Sequence, residues 1–121
     1  MGIRNMTEDE RKEIRSAFRE AVNMAPRELE RWLATDESRS VGWTRQEEDE
    51  SVGHQSGRRI VRLKRTAVSE LSDDDYEHMR KVTGYVRRHS AQRPDGDAAD
   101  TKWRYSLMNW GHDPLKSTGR A

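Results

Sequence analysis

Two groups of basic residues in the middle of the chain have types and spacing that suit polyanion binding. At about 3.6 residues per helical turn, Arg58, Arg62 and Arg65 fall on one narrow stripe of a helix. A second group falls on the polar side of the next predicted helix, which follows after a short turn. The candidate residues for nucleic-acid binding are Arg58, Arg59, Arg62, Arg65, Arg80, Lys81, Arg87 and Arg88. Such side chains neutralise phosphates, and arginine also holds a phosphate or a guanine edge in a bidentate manner.

The same pattern has a purely structural interpretation, because every amphipathic helix needs a polar face and arginine often supplies it. Residues 56–93 hold 10 basic and 5 acidic side chains, whereas residues 1–55 hold 9 and 13. The whole chain has a formal net charge of only +1 and a pI of about 8.1, below the value of about 9 typical of strong nucleic-acid binders. We therefore expect binding to be moderate and to be lost at elevated salt.

Other candidates for chemistry are weak. Among the four histidines only His78 and His89 share a predicted helix, where three turns separate them, too far for one metal ion. Ser56 superficially resembles an esterase nucleophile, but it lacks the strand and the glycine spacing of that motif. The chain has no cysteine, no phosphate-binding loop and no dinucleotide fingerprint. We expect no catalytic residue, no metal, no cofactor and no enzymatic activity.

The densest aromatic stretch is residues 103–114, which contain Trp103, Tyr105 and Trp110. Exposed rings there could stack on nucleic-acid bases. Buried rings would instead clamp the C-terminal helix onto the bundle. Leu, Ile, Val and Phe together fall below the roughly one fifth of residues expected in a well-packed domain. We therefore favour the structural role and expect Trp32, Trp103 and Trp110 to supply much of the core.

Capping and hydrophobic spacing predict two helices in the N-terminal part. Thr7 and Glu10 form a capping box for the first, which carries an apolar stripe over residues 14–22. Pro26 fits the first turn of the second, and the two helices are expected to form a short hairpin. Residues 36–57 are rich in serine, glycine and acidic residues and predict a long loop, with a short β-hairpin within residues 38–61 as the alternative.

Three further helices are predicted in the C-terminal part. The third runs from about Gly57 to Leu71 and carries the first basic group. The fourth begins after Ser72, an N-cap residue, and stops before Pro94. A fifth, short helix begins near Thr101. Together these elements predict one all-α domain over residues 1–121, a small bundle of four to five helices with its core over residues 7–114 and frayed ends at 1–6 and 115–121.

No apolar run approaches the ~18 residues of a transmembrane helix, and the N-terminus has no signal-peptide pattern. We therefore expect a cytoplasmic protein with no membrane partner.

Three stretches resemble domain-of-unknown-function family 3140. They are Ser51–Val61 (SVGHQSGRRIV), His78–His89 (HMRKVTGYVRRH) and Trp103–Lys116 (WRYSLMNWGHDPLK). The resemblance covers the chain from about Lys12 to Lys116. It implies a small stand-alone protein without an established activity, in a family where some members carry a DNA-binding label. It implies no catalytic residues.

The sequence thus favours an accessory protein that binds nucleic acid, with DNA as the favoured partner and RNA as the other candidate, through the basic faces of two central helices. The alternative is a protein–protein adaptor or a self-associating structural protein, with a protein partner or a homodimer and no nucleic-acid binding. An undetected enzyme is the third class. No small-molecule substrate is indicated.

Overall fold

A computed structural model describes residues 6–42 and 50–116 of the chain. Within these ranges there are six α-helices, one 3-10 helix at Val68–Glu70 and no strand. The α-helices are α1 (Glu8–Ala21), α2 (Pro26–Leu33), α3 (Asp36–Arg39), α4 (Val52–Lys64), α5 (Asp73–Ser90) and α6 (Lys102–Asn109). The predicted all-α bundle is confirmed.

Local signals start α1, α2 and α5 where the sequence indicates. The Thr7 hydroxyl accepts from the backbone N–H of Glu10, whose carboxylate accepts in return from the N–H of Thr7. The Ser72 hydroxyl and the Asp75 carboxylate form the same reciprocal pair at the start of α5. Each pair satisfies backbone donors that would otherwise have no intrahelical partner. Pro26 is the first residue of α2, as predicted.

The helices pack in a different pairing from the expected one. α1 packs along α5, α2 packs along α4, and α6 contacts α2, α3, α4 and α5. The predicted α1–α2 hairpin was therefore wrong. The reason lies in the connecting segment, which is held by distant partners: Lys64 Nζ donates to the carbonyls of Val22 and Met24, and the N–H of Met24 donates to the carbonyl of Gly111.

The predicted loop over residues 36–57 is shorter than expected. Thr35 caps α3, and Ser51 caps α4, which begins five residues before the expected Gly57. α4 also ends at Lys64 rather than at Leu71, and Val68, which lies beyond its end, is 49% exposed. The β-hairpin alternative is wrong for the parts of residues 38–61 that the structure describes; residues 43–49 lie outside them.

The inner side of α5 faces the core, opposite the predicted polar side. Tyr76, Met79, Val82, Thr83 and Val86 are all buried, and their apolar members join the core contributed by α1, α2 and α4. Because this apolar face of α5 packs against the core, the basic residues on the opposite face of the helix lie towards the solvent.

The three tryptophans within the described residues divide into two classes. Trp110 is 5% exposed and belongs to the core, as predicted. Trp32 and Trp103 are only half-buried. Trp32 Nε1 donates to Asn109 Oδ1 over 2.7 Å, and Trp103 Nε1 donates to the carbonyl of His89 over 2.7 Å. Their polar edges thus fasten α6 to α2 and to the end of α5.

The predicted frayed ends lie mostly outside the described residues, which exclude 1–5 and 117–121. Three residues of these ends are described, and all three have contacts. Met6 packs against the core, the N–H of Leu115 donates to Asp113 Oδ1, and Lys116 forms an ion pair with Glu28. No helix of the described ranges is long and apolar enough to cross a bilayer.

Candidate nucleic-acid interface

Two arginines of the predicted basic stripe on α4 are paired with carboxylates. Arg65 makes a bidentate contact with Glu30 of α2, with both N···O distances 2.9 Å. Arg58 Nη2 donates to Glu50 Oε1 over 2.8 Å. Burial raises the pKa of Glu50, but its hydrogen bonds with His54 and Arg58 bring the pKa below its usual value. These two cations therefore meet phosphate only in competition with carboxylates of the same chain.

Arg59 faces α5 rather than the solvent side of α4. Its Nη2 lies 3.3 Å from Asp75 Oδ1, and its Nε is buried without a hydrogen-bond partner. The pKa of Asp75 is lowered, first by the backbone N–H of Ser72 and also by Arg59. Arg59 thus bridges the two helices that carry the basic groups.

The remaining five candidates are exposed and form no ion pair with any residue that the structure describes. They are Arg62, Arg80, Lys81, Arg87 and Arg88. Four of them lie on the solvent side of α5, and the Arg88 guanidinium folds back over Gly84. An unpaired exposed cation can bind a polyanion without first breaking an internal ion pair, so these five differ physically from the three paired arginines.

The structure brings some of the candidates together in an open depression between α4 and α5. Its cationic lining residues are Arg59, Arg80 and Lys81, and His78 lies among them. Asp74 and Glu77 line the same depression and offset part of its positive charge.

A separate groove runs between α1 and α5. Its floor includes Ile14, Ala17 and Gly84. Its rim carries Glu10 and Glu13 from α1, while the basic residues Arg80 and Arg87 come from α5. Arg80 therefore belongs to both the depression and the groove.

The contact between Ser56 and His78 at this site was not predicted from the sequence. Ser56 Oγ and His78 Nε2 are 2.9 Å apart, and the His78 ring stacks at 6.3 Å on Trp110. Burial lowers the pKa of His78 to about 4, and the positive charges of Arg59, Lys81 and Arg62 add to this effect. The ring is thus neutral at physiological pH. No local signal links two residues 22 positions apart on different helices.

The aromatic stretch is arranged for packing at Trp110. Its ring stacks on Tyr85 with centroids 4.3 Å apart, so its faces lie against Tyr85 and His78 and are closed to nucleic-acid bases. Trp103 is half-buried, and the guanidinium of Arg93 lies 5.4 Å from its ring centroid. Within residues 6–42 and 50–116, no group of three or more His, Asp or Glu side chains could hold a metal ion.

Comparison with known protein families gives a match over most of the chain. A family model described as "Protein of unknown function (DUF3140)" matches residues 17–108. This range contains α2 to α5, the C-terminal part of α1, nearly all of α6 and all eight candidate basic residues. No curated protein and no solved structure matches the chain.

Proposed function

The chain belongs to the DUF3140 family, whose description states no function. From the geometry we propose that it is an accessory protein that binds nucleic acid, DNA or RNA, through the exposed side of α5. The observation that carries this proposal is the set of unpaired cations on one exposed helix face. Those on α5 are Arg80, Lys81, Arg87 and Arg88, and Arg62 of α4 lies nearby.

The spacing of these cations suits a polyanion. At 1.5 Å per residue, the segment from Arg80 to Arg88 extends over about 12 Å of the helix axis. Duplex DNA carries one negative charge per about 1.7 Å of its own axis. Several phosphates therefore lie within reach of the four side chains, and their neutralisation would release counterions.

The paired arginines take a secondary part in this proposal. Arg58, Arg59 and Arg65 already have carboxylate partners, so each gains less from a phosphate than an unpaired arginine does. The interface is therefore smaller than the eight-residue surface expected from the sequence. Because the interface is small, we expect its binding to nucleic acid to be moderate and sensitive to salt. A cytoplasmic location would give the protein access to nucleic acid.

The test is binding to a labelled random-sequence duplex, measured by fluorescence anisotropy over a salt series. The variant Arg87→Glu/Arg88→Glu should weaken binding at low salt by at least about tenfold, because two attractive charges become repulsive. The matched control is Arg27→Glu/Arg31→Glu on α2, which makes the same change in net charge at two exposed positions. Binding that both variants weaken equally, or no binding at low salt, contradicts the proposal.

A second candidate function is self-association through the α1–α5 groove. The opposite charges of its two rims favour it, since Glu13 of one copy can face Arg80 or Arg87 of another in a two-fold arrangement. Sedimentation equilibrium tests this function directly. A mass that rises with protein concentration and falls with salt supports it, and a monomer at all concentrations contradicts it.

A further inference from the structure

The contact between Ser56 and His78 determines which nitrogen of the His78 ring carries the proton. Ser56 is 4% exposed, and the only partner of its hydroxyl among the described residues is His78 Nε2. If Nε2 carried the ring proton, the buried hydroxyl hydrogen of Ser56 would have no acceptor. Ser56 therefore donates to Nε2, and the proton of the neutral ring lies on Nδ1.

His78 Nδ1 is accessible from the depression. No hydrogen bond of the described residues uses this atom, and the buried side-chain nitrogens without a partner are Arg11 Nε and Arg59 Nε. An unpartnered Nδ1 that is not among the buried atoms is open to solvent, and His78 lines the depression. Stacking on Trp110 holds the plane of the ring.

The surroundings of this N–H group carry charges of both signs, with a small positive excess. Arg59 and Lys81 line the depression with it, and the charge of Arg62 reaches the ring from α4. Arg80 completes the basic lining. The opposing groups on α5 are Asp74 and Glu77, which line the depression, and Asp75, which is paired with Arg59.

We propose that this depression is a phosphate-binding site, in which the Nδ1–H of His78 donates a hydrogen bond to a phosphate oxygen and the lining cations Arg80, Lys81 and Arg59 supply the positive charge. The inference rests on the proposed function, because it assigns one specific phosphate contact to the nucleic-acid interface. A neutral donor suits this position: it adds direction to the binding without adding another charge to a crowded cationic cluster.

The direct test is NMR of the full chain labelled with 15N, because the imidazole nitrogen shifts report the tautomer and the pKa of His78. We expect the Nδ1–H tautomer in the free protein. Titration with inorganic phosphate should raise the pKa of His78, since a bound anion favours the charged ring. Chloride at equal ionic strength is the control. An Nε2–H tautomer, or an equal response to chloride, would overturn the inference.

Two variants distinguish the hydrogen-bond donor of His78 from the packing of its ring against Trp110. Ser56→Ala/His78→Phe keeps a ring against Trp110 and removes both hydrogen-bonding groups without leaving a buried hydroxyl unpaired. It should weaken phosphate binding about tenfold. His78→Asn keeps an N–H close to the position of Nδ1 and should remain within about threefold of the wild type. Equal phosphate binding by the wild type and the double variant would contradict the site.

A parallel titration with a short DNA duplex distinguishes a nucleic-acid phosphate from a small phosphate compound. A response of His78 to both ligands supports the site and the proposed function together. A response to inorganic phosphate without duplex binding supports the site and contradicts the proposed function. Duplex binding that leaves the His78 signals unchanged supports the proposed function and overturns the site.

Discussion

At the scale of single residues, burial separates tryptophans that stabilise the fold from those that fasten its surface. Trp110 is 5% exposed and stacks on Tyr85 and His78, so Trp110→Ala leaves a large cavity. We expect a loss of about 3–5 kcal/mol in the free energy of unfolding. Trp103→Ala removes a half-buried ring and one hydrogen bond and should cost less, about 1–2 kcal/mol. Urea denaturation measures both, and equal midpoints for Trp110→Ala and the wild type would contradict this assignment.

His78 links stability to pH at the same scale. Its pKa in the folded protein is about 4, below the ordinary value of 6.5, so the unfolded chain binds more protons between these values. The contribution of His78 to stability is therefore fully present above pH 6.5 and is lost as the pH falls towards 4. With allowance for solvent screening of this half-exposed ring, the loss is about 1–2 kcal/mol.

Protonation of carboxylates in acid also destabilises the protein. The measurement therefore compares the wild type with a variant that lacks His78, because both proteins share the effect of the carboxylates. The difference in unfolding free energy between the wild type and Ser56→Ala/His78→Phe should become less favourable to the wild type as the pH falls from 7 to 4. A difference that does not change with pH would show that the His78 ring is not held in its neutral form.

At the scale of elements, two helical glycines have opposite surroundings. A Cβ on Gly57 of α4 would lie 2.5 Å from the carbonyl oxygen of Asn109 and 2.7 Å from Leu33 Cδ2. Gly57→Ala should therefore push α4 away from α6 and α2 and destabilise the protein by about 1–3 kcal/mol. A Cβ on Gly84 of α5 meets only the flexible end of Arg88, at 3.1 Å.

Gly84→Ala is therefore the matched control for Gly57→Ala. It should stabilise the protein by about 0.5–1 kcal/mol, because alanine favours the helix and restricts the unfolded chain. Thermal melting of both variants tests the close approach of α4 and α6. The same sign of the change in both variants would contradict the packing described for α4.

At the scale of the whole molecule, the distinction between paired and unpaired cations should appear in the salt dependence of duplex binding. Replacement of Arg80 and Arg87 by Ala removes two unpaired cations and should reduce the slope of log K against log salt by about 2. Replacement of Arg58 and Arg65 by Ala removes two cations with carboxylate partners and should change the slope by less than about 1. Equal changes in slope would show that the internal ion pairs do not limit the interface.

Much of the fold could be predicted because its signals are local. The capping boxes at Thr7 and Ser72, Pro26 at the start of α2 and the apolar face of α5 involve residues within one or a few helical turns of each other. Their physical effect needs only the neighbouring backbone, so the sequence alone determined where these helices begin and which side of α5 is buried. It also determined that the basic residues of α5 face the solvent.

The rest depended on contacts between helices. The glycines at 53 and 57 indicated a loop, yet they lie within α4 because Trp110 and Asn109 pack closely against them. Sequence spacing placed the arginines on helix faces, but only the tertiary structure supplied carboxylates from α2 and α5 and left five cations without such partners. The tertiary structure also determined the contact between Ser56 and His78, because residues on two separate helices come into contact only when those helices pack together.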